Sequence, residues 1–228
     1  MKTAIILIVS YLVGAIPFGL VWVKLFTGKD VRTIASGRTG GTNAMRAGGL
    51  KVGLLTAFSD IMKGYSTYWI VNAFGANNPW VRVFAALMAV IGHNYSIFLL
   101  HRNEEGKLRL RGGAGGATAL GGSFALWSLS GWIILSLSLL LFATLGYASV
   151  TTMGIAFFSS MIFLIRVLIK APGAEWAYVF YGLAAEVLLL FALRPNLKRL
   201  REGNERRVNW RSVLKKKEDT ADTSNKKA

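Results

Sequence analysis

The stretch Ala35–Gly49, ASGRTGGTNAMRAGG, separates two apolar runs that are each long enough to cross a bilayer. It carries almost no bulky apolar side chain. Glycines let the backbone turn so that several N–H groups converge. Ser36, Thr39, Thr42 and Asn43 supply short polar groups, and Arg38 and Arg46 supply fixed positive charge. These are the parts of an oxyanion or phosphate cradle. The plainer alternative is a solvated turn whose arginines only mark the cytoplasmic side of a membrane.

Outward from this stretch, apolar residues come in blocks of about twenty, the length that crosses roughly 30 Å of hydrocarbon. Hydrophobic residues make up 53% of the 228. The expected fold is all-α: a polytopic integral membrane protein with about seven transmembrane helices in residues 1–210, and a basic, disordered tail over 211–228. The expected spans are Ala4–Phe26, bent at Pro17, then Val52–Phe74 and Trp80–Leu100, and four more near 115–129, 131–146, 149–169 and 175–193. The first exceeds a signal-peptide apolar region and lacks a following A-x-A site, so it reads as retained. Lys24 and the basic residues after it put that end in the cytoplasm and the N-terminus outside. The basic run after Leu193 puts the C-terminus in the cytoplasm, which requires an even number of spans after the loop that ends at Arg111.

Composition excludes several classes. The chain has no cysteine and only two histidines, His93 and His101, so a disulfide framework, a thiol nucleophile and a Cys- or His-rich metal centre are not expected. Neither is a cofactor. The formal charge of +16 is concentrated in loops and tail beside apolar blocks, which points to membrane orientation and anionic ligands rather than to nucleic acid.

Further polar features lie on the same expected face. Asp60 and Lys63, three residues apart, share one side of the second span, as an internally satisfied pair or as substrate contacts. His93 ends the third span, where it can exchange a proton or bond a phosphate, or simply be hydrogen-bonded. A polar loop, His101–Arg111, leads into GGAGGATALGG. Its glycines suit a second backbone cradle at a helix start, or close helix packing through small-xxx-small spacing, or both. Arg194-Pro-Asn-Leu-Lys-Arg leaves the last span as a basic segment in which Pro195 can begin a new helical turn.

With these loops in hand, the chain resembles the acyl-phosphate-dependent bacterial glycerol-3-phosphate acyltransferases, the PlsY family, to about Arg207. A first block, S-G-x-x-G-x-T-N-x-x-R, is matched by Ser36, Gly37, Gly40, Thr42, Asn43 and Arg46. Asp60, Lys63 and Gly64 match an Asp-x-x-Lys-Gly. A second block is matched by Gly92, His93, Phe98, Gly112, Gly113, Gly115, Ala117 and Thr118, and a third by Arg194, Asn196, Arg199, Leu200, Gly203 and Glu205.

The resemblance implies transfer of an acyl group from acyl phosphate to the sn-1 hydroxyl of glycerol 3-phosphate, giving lysophosphatidic acid and phosphate at the cytoplasmic side of the inner (plasma) membrane. It implies catalytic roles for Ser36, Arg46 and His93. Substrate binding would fall to Gly37, Gly40, Thr42, Asn43, Arg111, Gly112, Gly113, Gly115, Asn196 and Arg199, with Glu205 fixing the third block. Membrane lipid is the other expected partner.

The chain departs from the family in Arg38-Thr39, in Ser96, in a longer 101–111 connection, and in Ala114, where a phosphate-holding lysine is usual. Lys107 and Arg109 are the candidates to restore that charge. An acyl-thioester mechanism finds no His-x-x-x-x-Asp, and a CDP-alcohol phosphotransferase finds no clustered aspartates. A carrier of anions or lipid phosphates built on the same basic cavity is the competing class. Both classes require that Arg46, His93 and Asn196 meet at one membrane face.

Overall fold

The computed structural model describes residues 1–102, 106 and 108–208; Lys107 and the expected tail over 211–228 lie outside the described residues. Eight helices follow in order: α1 (Lys2–Ala15), α2 (Phe18–Thr27), α3 (Gly41–Ala73), α4 (Pro79–Asn94), α5 (Gly116–Leu126), α6 (Ser128–Leu145), α7 (Ala148–Leu168) and α8 (Trp176–Arg201). Between α4 and α5 stands an antiparallel hairpin, β1 (Ser96–Arg102) with β2 (Leu108–Arg111). Four helical stretches are long and apolar enough to cross a membrane: Lys2–Thr27, Ser128–Leu145, Ala148–Leu168 and Trp176–Arg201.

Helix boundaries follow local chemistry. Pro17 interrupts the first span, since it has no N–H to donate, and α1 and α2 meet there. Inside α3, Gly49 takes φ 82 and ψ 178, a conformation other residues avoid, and divides a short first helix from the long second one. The long apolar stretch after Ser123 breaks at extended Trp127 and at left-handed Gly146, which separate α5, α6 and α7.

Three expectations need correction. The fold is not purely helical, because the third span stops at Asn94 and residues 96–102 form β1, where Ser96 Oγ donates 2.6 Å to the Ala15 carbonyl. Of the polar connection, residues 101–102 and 108–111 belong to that hairpin, with His101 opposite Arg109. Pro195 does not begin a new helix; it lies inside α8, which runs on to Arg201.

The chain leaves and returns to one end of the molecule. α3 departs from the 36–46 segment and α4 brings back His93. α5 then departs, α6 returns with Phe142, and α7 departs before α8 returns with Leu193 and Asn196. The 11 residues of α5 rise only about 16 Å, short of a bilayer core.

Glycines set the closest helix approaches. A Cβ at Gly14 would overlap the Ala89 backbone, and one at Gly92 the Tyr11 carbonyl, so α1 and α4 pack backbone to backbone. Gly64 on α3 and Gly121 on α5 do the same across the Thr118 and Ile61 carbonyls. The main core lies among α4, α5, α7 and α8, around Val90, Leu120, Phe163 and Leu189, with fully buried Tyr181 donating 2.6 Å to the Ala119 carbonyl. Outward faces carry exposed Phe58, Trp132, Leu140 and Leu168.

Gly121→Leu forces α3 and α5 apart and is expected to cost about 3 kcal/mol, the upper end of the usual cost of overpacking. A thermal unfolding scan in detergent, with Leu120→Met as the tolerated control, reads it.

Candidate functional site

The 36–46 segment is a loop followed by a helix start. Gly40 precedes the first turn of α3, so Thr42, Asn43 and Arg46 are helical residues, contrary to a loop that continues to Gly49. Asn43 holds this segment together. Its Nδ2 donates to the carbonyls of Val31, Ile34 and Arg38 at 3.0, 2.9 and 2.9 Å, and its Oδ1 accepts from the Ser36 N–H at 3.4 Å. The amide expected to hold substrate is thus occupied with shaping the loop. Ser36 and Thr42 are half-buried and line a cavity beside it.

That first cavity, about 320 Å³, is bordered by Ser36, Gly40, Thr42 and Arg46 from one segment, by His93, Ala114 and Gly115 from a second, and by Asn196, Glu205 and Arg206 from a third. One wall is apolar: Leu50 and Leu54 of α3 face Leu139 and Phe142 of α6. A second cavity, about 440 Å³, shares Ser36, Arg38 and Asn196 with the first and adds Asn94, Arg111, Gly112, Gly113, Arg194 and Arg199. Arg46, His93 and Asn196, distant in sequence, therefore border one space.

A buried ion cluster supports the middle segment. Lys63 Nζ lies 2.9 Å from Asp60 Oδ1 and donates 3.0 Å to the Ile16 carbonyl, beside the break at Pro17. Asp60 Oδ1 is also 3.5 Å from His93 Nδ1. The Asp60–Lys63 pair is thus internally satisfied, and it also orients the histidine. A Cβ at Gly113 would overlap His93 Nε2, so glycine there lets the backbone lie against the ring. Gly112 approaches the His93 carbonyl in the same way, and Gly115, with φ 88, lies against the Asn94 side chain. In this glycine-rich turn, absence of side chains makes room for His93 and Asn94.

The third segment is organised by Glu205. Its Oε1 accepts from Asn196 Nδ2 at 2.8 Å and from Ser149 Oγ at 3.3 Å, and its Oε2 accepts from Arg199 Nε at 3.0 Å. Tyr147 pairs with Arg207, and the Val208 N–H donates 2.9 Å to the Gly146 carbonyl, which pins residues 205–208 against the α6–α7 turn.

Positive charge dominates both cavities. Arg38 is mostly buried, and its Nη2 donates to the Ala192 carbonyl in the α8 turn just before Pro195. Burial first, then neighbouring Arg199, lowers the pKa of Arg38 from the ordinary arginine value; the group remains charged at neutral pH. Arg111 folds over Gly37, where a Cβ would meet its Nη2. The two carboxylates bordering the cavities, Asp60 and Glu205, are each already partnered by cations. Among the described residues no group of three or more His, Asp and Glu side chains could hold a metal.

Some expected contributors are elsewhere. Arg109 is exposed on β2 and borders neither cavity, so it does not fill the gap left at Ala114, which faces the first cavity. Arg206 and Asn94 border the cavities and were not legible as site residues. Arg206 is hidden in a basic run, and Asn94 resembles the polar end of an apolar helix.

Comparison with known proteins follows the same lines. The family model described as glycerol-3-phosphate acyltransferase matches residues 4–203. The chain is 36% identical over 212 residues to a Thermus thermophilus glycerol-3-phosphate acyltransferase, covering 90% of this chain and 95% of the relative. It is 33% identical to glycerol-3-phosphate acyltransferase 3 of Dehalococcoides mccartyi, covering 92% and 98%. Crystal structures of PlsY (YgiH), an integral membrane glycerol 3-phosphate acyltransferase, match as well. The glycerol 3-phosphate form gives TM-score 0.78 at 32% identity, and the lysophosphatidic acid form 0.75 at 31%, each covering 94% of this chain and 99% of that one.

Glu205→Ala removes an acceptor shared by three side chains and leaves Arg199 without its carboxylate. It is expected to cost about 2–3 kcal/mol, against under about 1 kcal/mol for Ser149→Ala. Unfolding temperatures of the purified variants in detergent measure the difference.

Proposed function

The chain belongs to the glycerol-3-phosphate acyltransferase family, and we propose from that premise that acyl phosphate is its donor and the sn-1 hydroxyl of glycerol 3-phosphate its acceptor. A multi-pass membrane acyltransferase that acylates glycerol 3-phosphate in phospholipid synthesis is the family's established frame. The observation that carries the finer reading is the composition of the two joined cavities. They are rich in arginine, their carboxylates are already paired, and one wall is apolar. Two phosphate groups and one acyl chain fit that chemistry.

In this reading the acyl chain lies along Leu50, Leu54, Leu139 and Phe142, and its phosphate meets Ser36, Thr42 and Arg46. The first turn of α3 adds N–H groups that its helix leaves unpaired. Asn196 and Arg199, held by Glu205, orient glycerol 3-phosphate. The acceptor oxygen attacks the acyl carbonyl carbon, the bond from that carbon to the phosphate oxygen breaks, and phosphate leaves. An acyl phosphate already carries a good leaving group, so positioning and charge stabilisation suffice without a covalent enzyme intermediate.

His93 lies between Asp60 at Nδ1 and the Gly113 backbone at Nε2. This favours a positioning role, with the acceptor's hydroxyl proton passing to the departing phosphate. We further propose seven membrane passes with α5 as a short one enclosed by protein. The basic cavity end would face the cytoplasm, with the N-terminus outside and the C-terminus inside, in the inner membrane.

Purified protein given acyl phosphate and labelled glycerol 3-phosphate is expected to yield labelled 1-acyl product and phosphate. Flux across vesicles without product would identify a carrier instead. Arg46→Ala at saturating substrates should lower turnover by at least about a hundredfold, the scale of losing one charge-stabilising donor; near-normal turnover removes Arg46 from the mechanism.

A further inference from the structure

Four polar atoms of three residues at the junction of the cavities are buried and have no hydrogen-bond partner: Arg38 Nη1, both amide atoms of Asn94, and Asn196 Oδ1. Asn94 is only 4% exposed. Buried donors and charged groups left unpaired are costly, and they mark places where a ligand completes the structure. All three residues border the second cavity, and Arg38 and Asn196 border the first as well.

Arg38 is fixed rather than free. Its Nη2 is tied to the Ala192 carbonyl, which leaves Nη1 as the donor not yet engaged. Its electrostatic surroundings include Arg199 and Arg111 as like charges and Glu205 as the opposing one, and Glu205 is already bonded to Arg199. A guanidinium held against two others by a neutral carbonyl gains most from an anion.

We propose that Arg38 is a substrate ligand: its Nη1 donates to a phosphate group of one of the two substrates at the cavity junction, with the Asn94 amide as second donor. It thereby supplies the cation that Ala114 does not, a role that exposed Arg109, which borders neither cavity, does not fill. The proposal rests on the acyl-transfer reading and deepens it.

Steady-state kinetics of Arg38→Gln, varying glycerol 3-phosphate and acyl phosphate separately, tests it. The expected result is an apparent KM raised about tenfold to a hundredfold for one of the two substrates, the loss of one charge-assisted hydrogen bond. The affected substrate identifies the phosphate that Arg38 holds. Asn94→Ala is expected to raise the same KM less.

Ala114→Lys in the Arg38→Gln background separates charge from scaffold. Ala114 borders the first cavity and Ala192 the second, so this change restores a cation and not the bond to α8. Recovery of most of the lost kcat/KM supports the proposal. Unchanged KM values in Arg38→Gln overturn it, as does a loss that neither Arg38→Lys nor Ala114→Lys reverses. Calorimetric binding of glycerol 3-phosphate and of a non-hydrolysable acyl phosphonate needs no turnover. If the wild-type chain forms no product, the acyl-transfer reading fails. Weaker binding of either ligand to Arg38→Gln then still supports the ligand role, and equal binding of both overturns it.

Discussion

Pro17 ends α1 and leaves at the break the carbonyl of buried Ala15 and that of Ile16, which also accepts from the Phe18 N–H. Ser96 reaches the first and Lys63 the second. Lys63 can do so only because Asp60 neutralises it, and Asp60 in turn faces His93. Satisfying a broken helix in apolar surroundings thus fixes α3, the end of α4 and the start of β1 relative to one another. The middle segment of the site takes its geometry from that arrangement.

The same constraint recurs at the other two segments. Asn43 serves three carbonyls of the loop before α3, and Arg38 serves the Ala192 carbonyl of α8. Asn43 and Arg38, which border the cavities, thus also bond backbone carbonyls of neighbouring segments. These bonds tie the loops to the helices beside them, and such positioning is the condition for holding two phosphates in a defined relation.

Much of this was legible in the sequence. Long apolar blocks, divided by the even number of spans that the basic loops require, gave helical segments near 115–129, 131–146, 149–169 and 175–193, and α5 to α8 follow them. The family resemblance implied that Glu205 fixes the third block, and Glu205 does bond Asn196 and Arg199. The hairpin was hidden because β1 has no alternating burial, so Ile97–Leu100 read as the continuation of an apolar helix. The role of Asn43 was hidden because its acceptors are carbonyls 5, 9 and 12 residues earlier in the chain. Arg38 takes its direction from a residue 154 positions away. Glycine clusters signalled close approach, but only the folded chain reveals that His93 and Asn94 are what approach.

The clasp between Tyr147–Gly146 and Arg207–Val208 has a temporal side. Glu205 is delivered to Asn196 and Arg199 by nearly the last stretch of the described chain. A chain made from its N-terminus holds α1 to α8 before Arg199 acquires this counterion. The third wall of the cavity is consequently complete only once the residues after α8 have folded back, and a chain cut before Glu205 leaves Arg199 without its carboxylate.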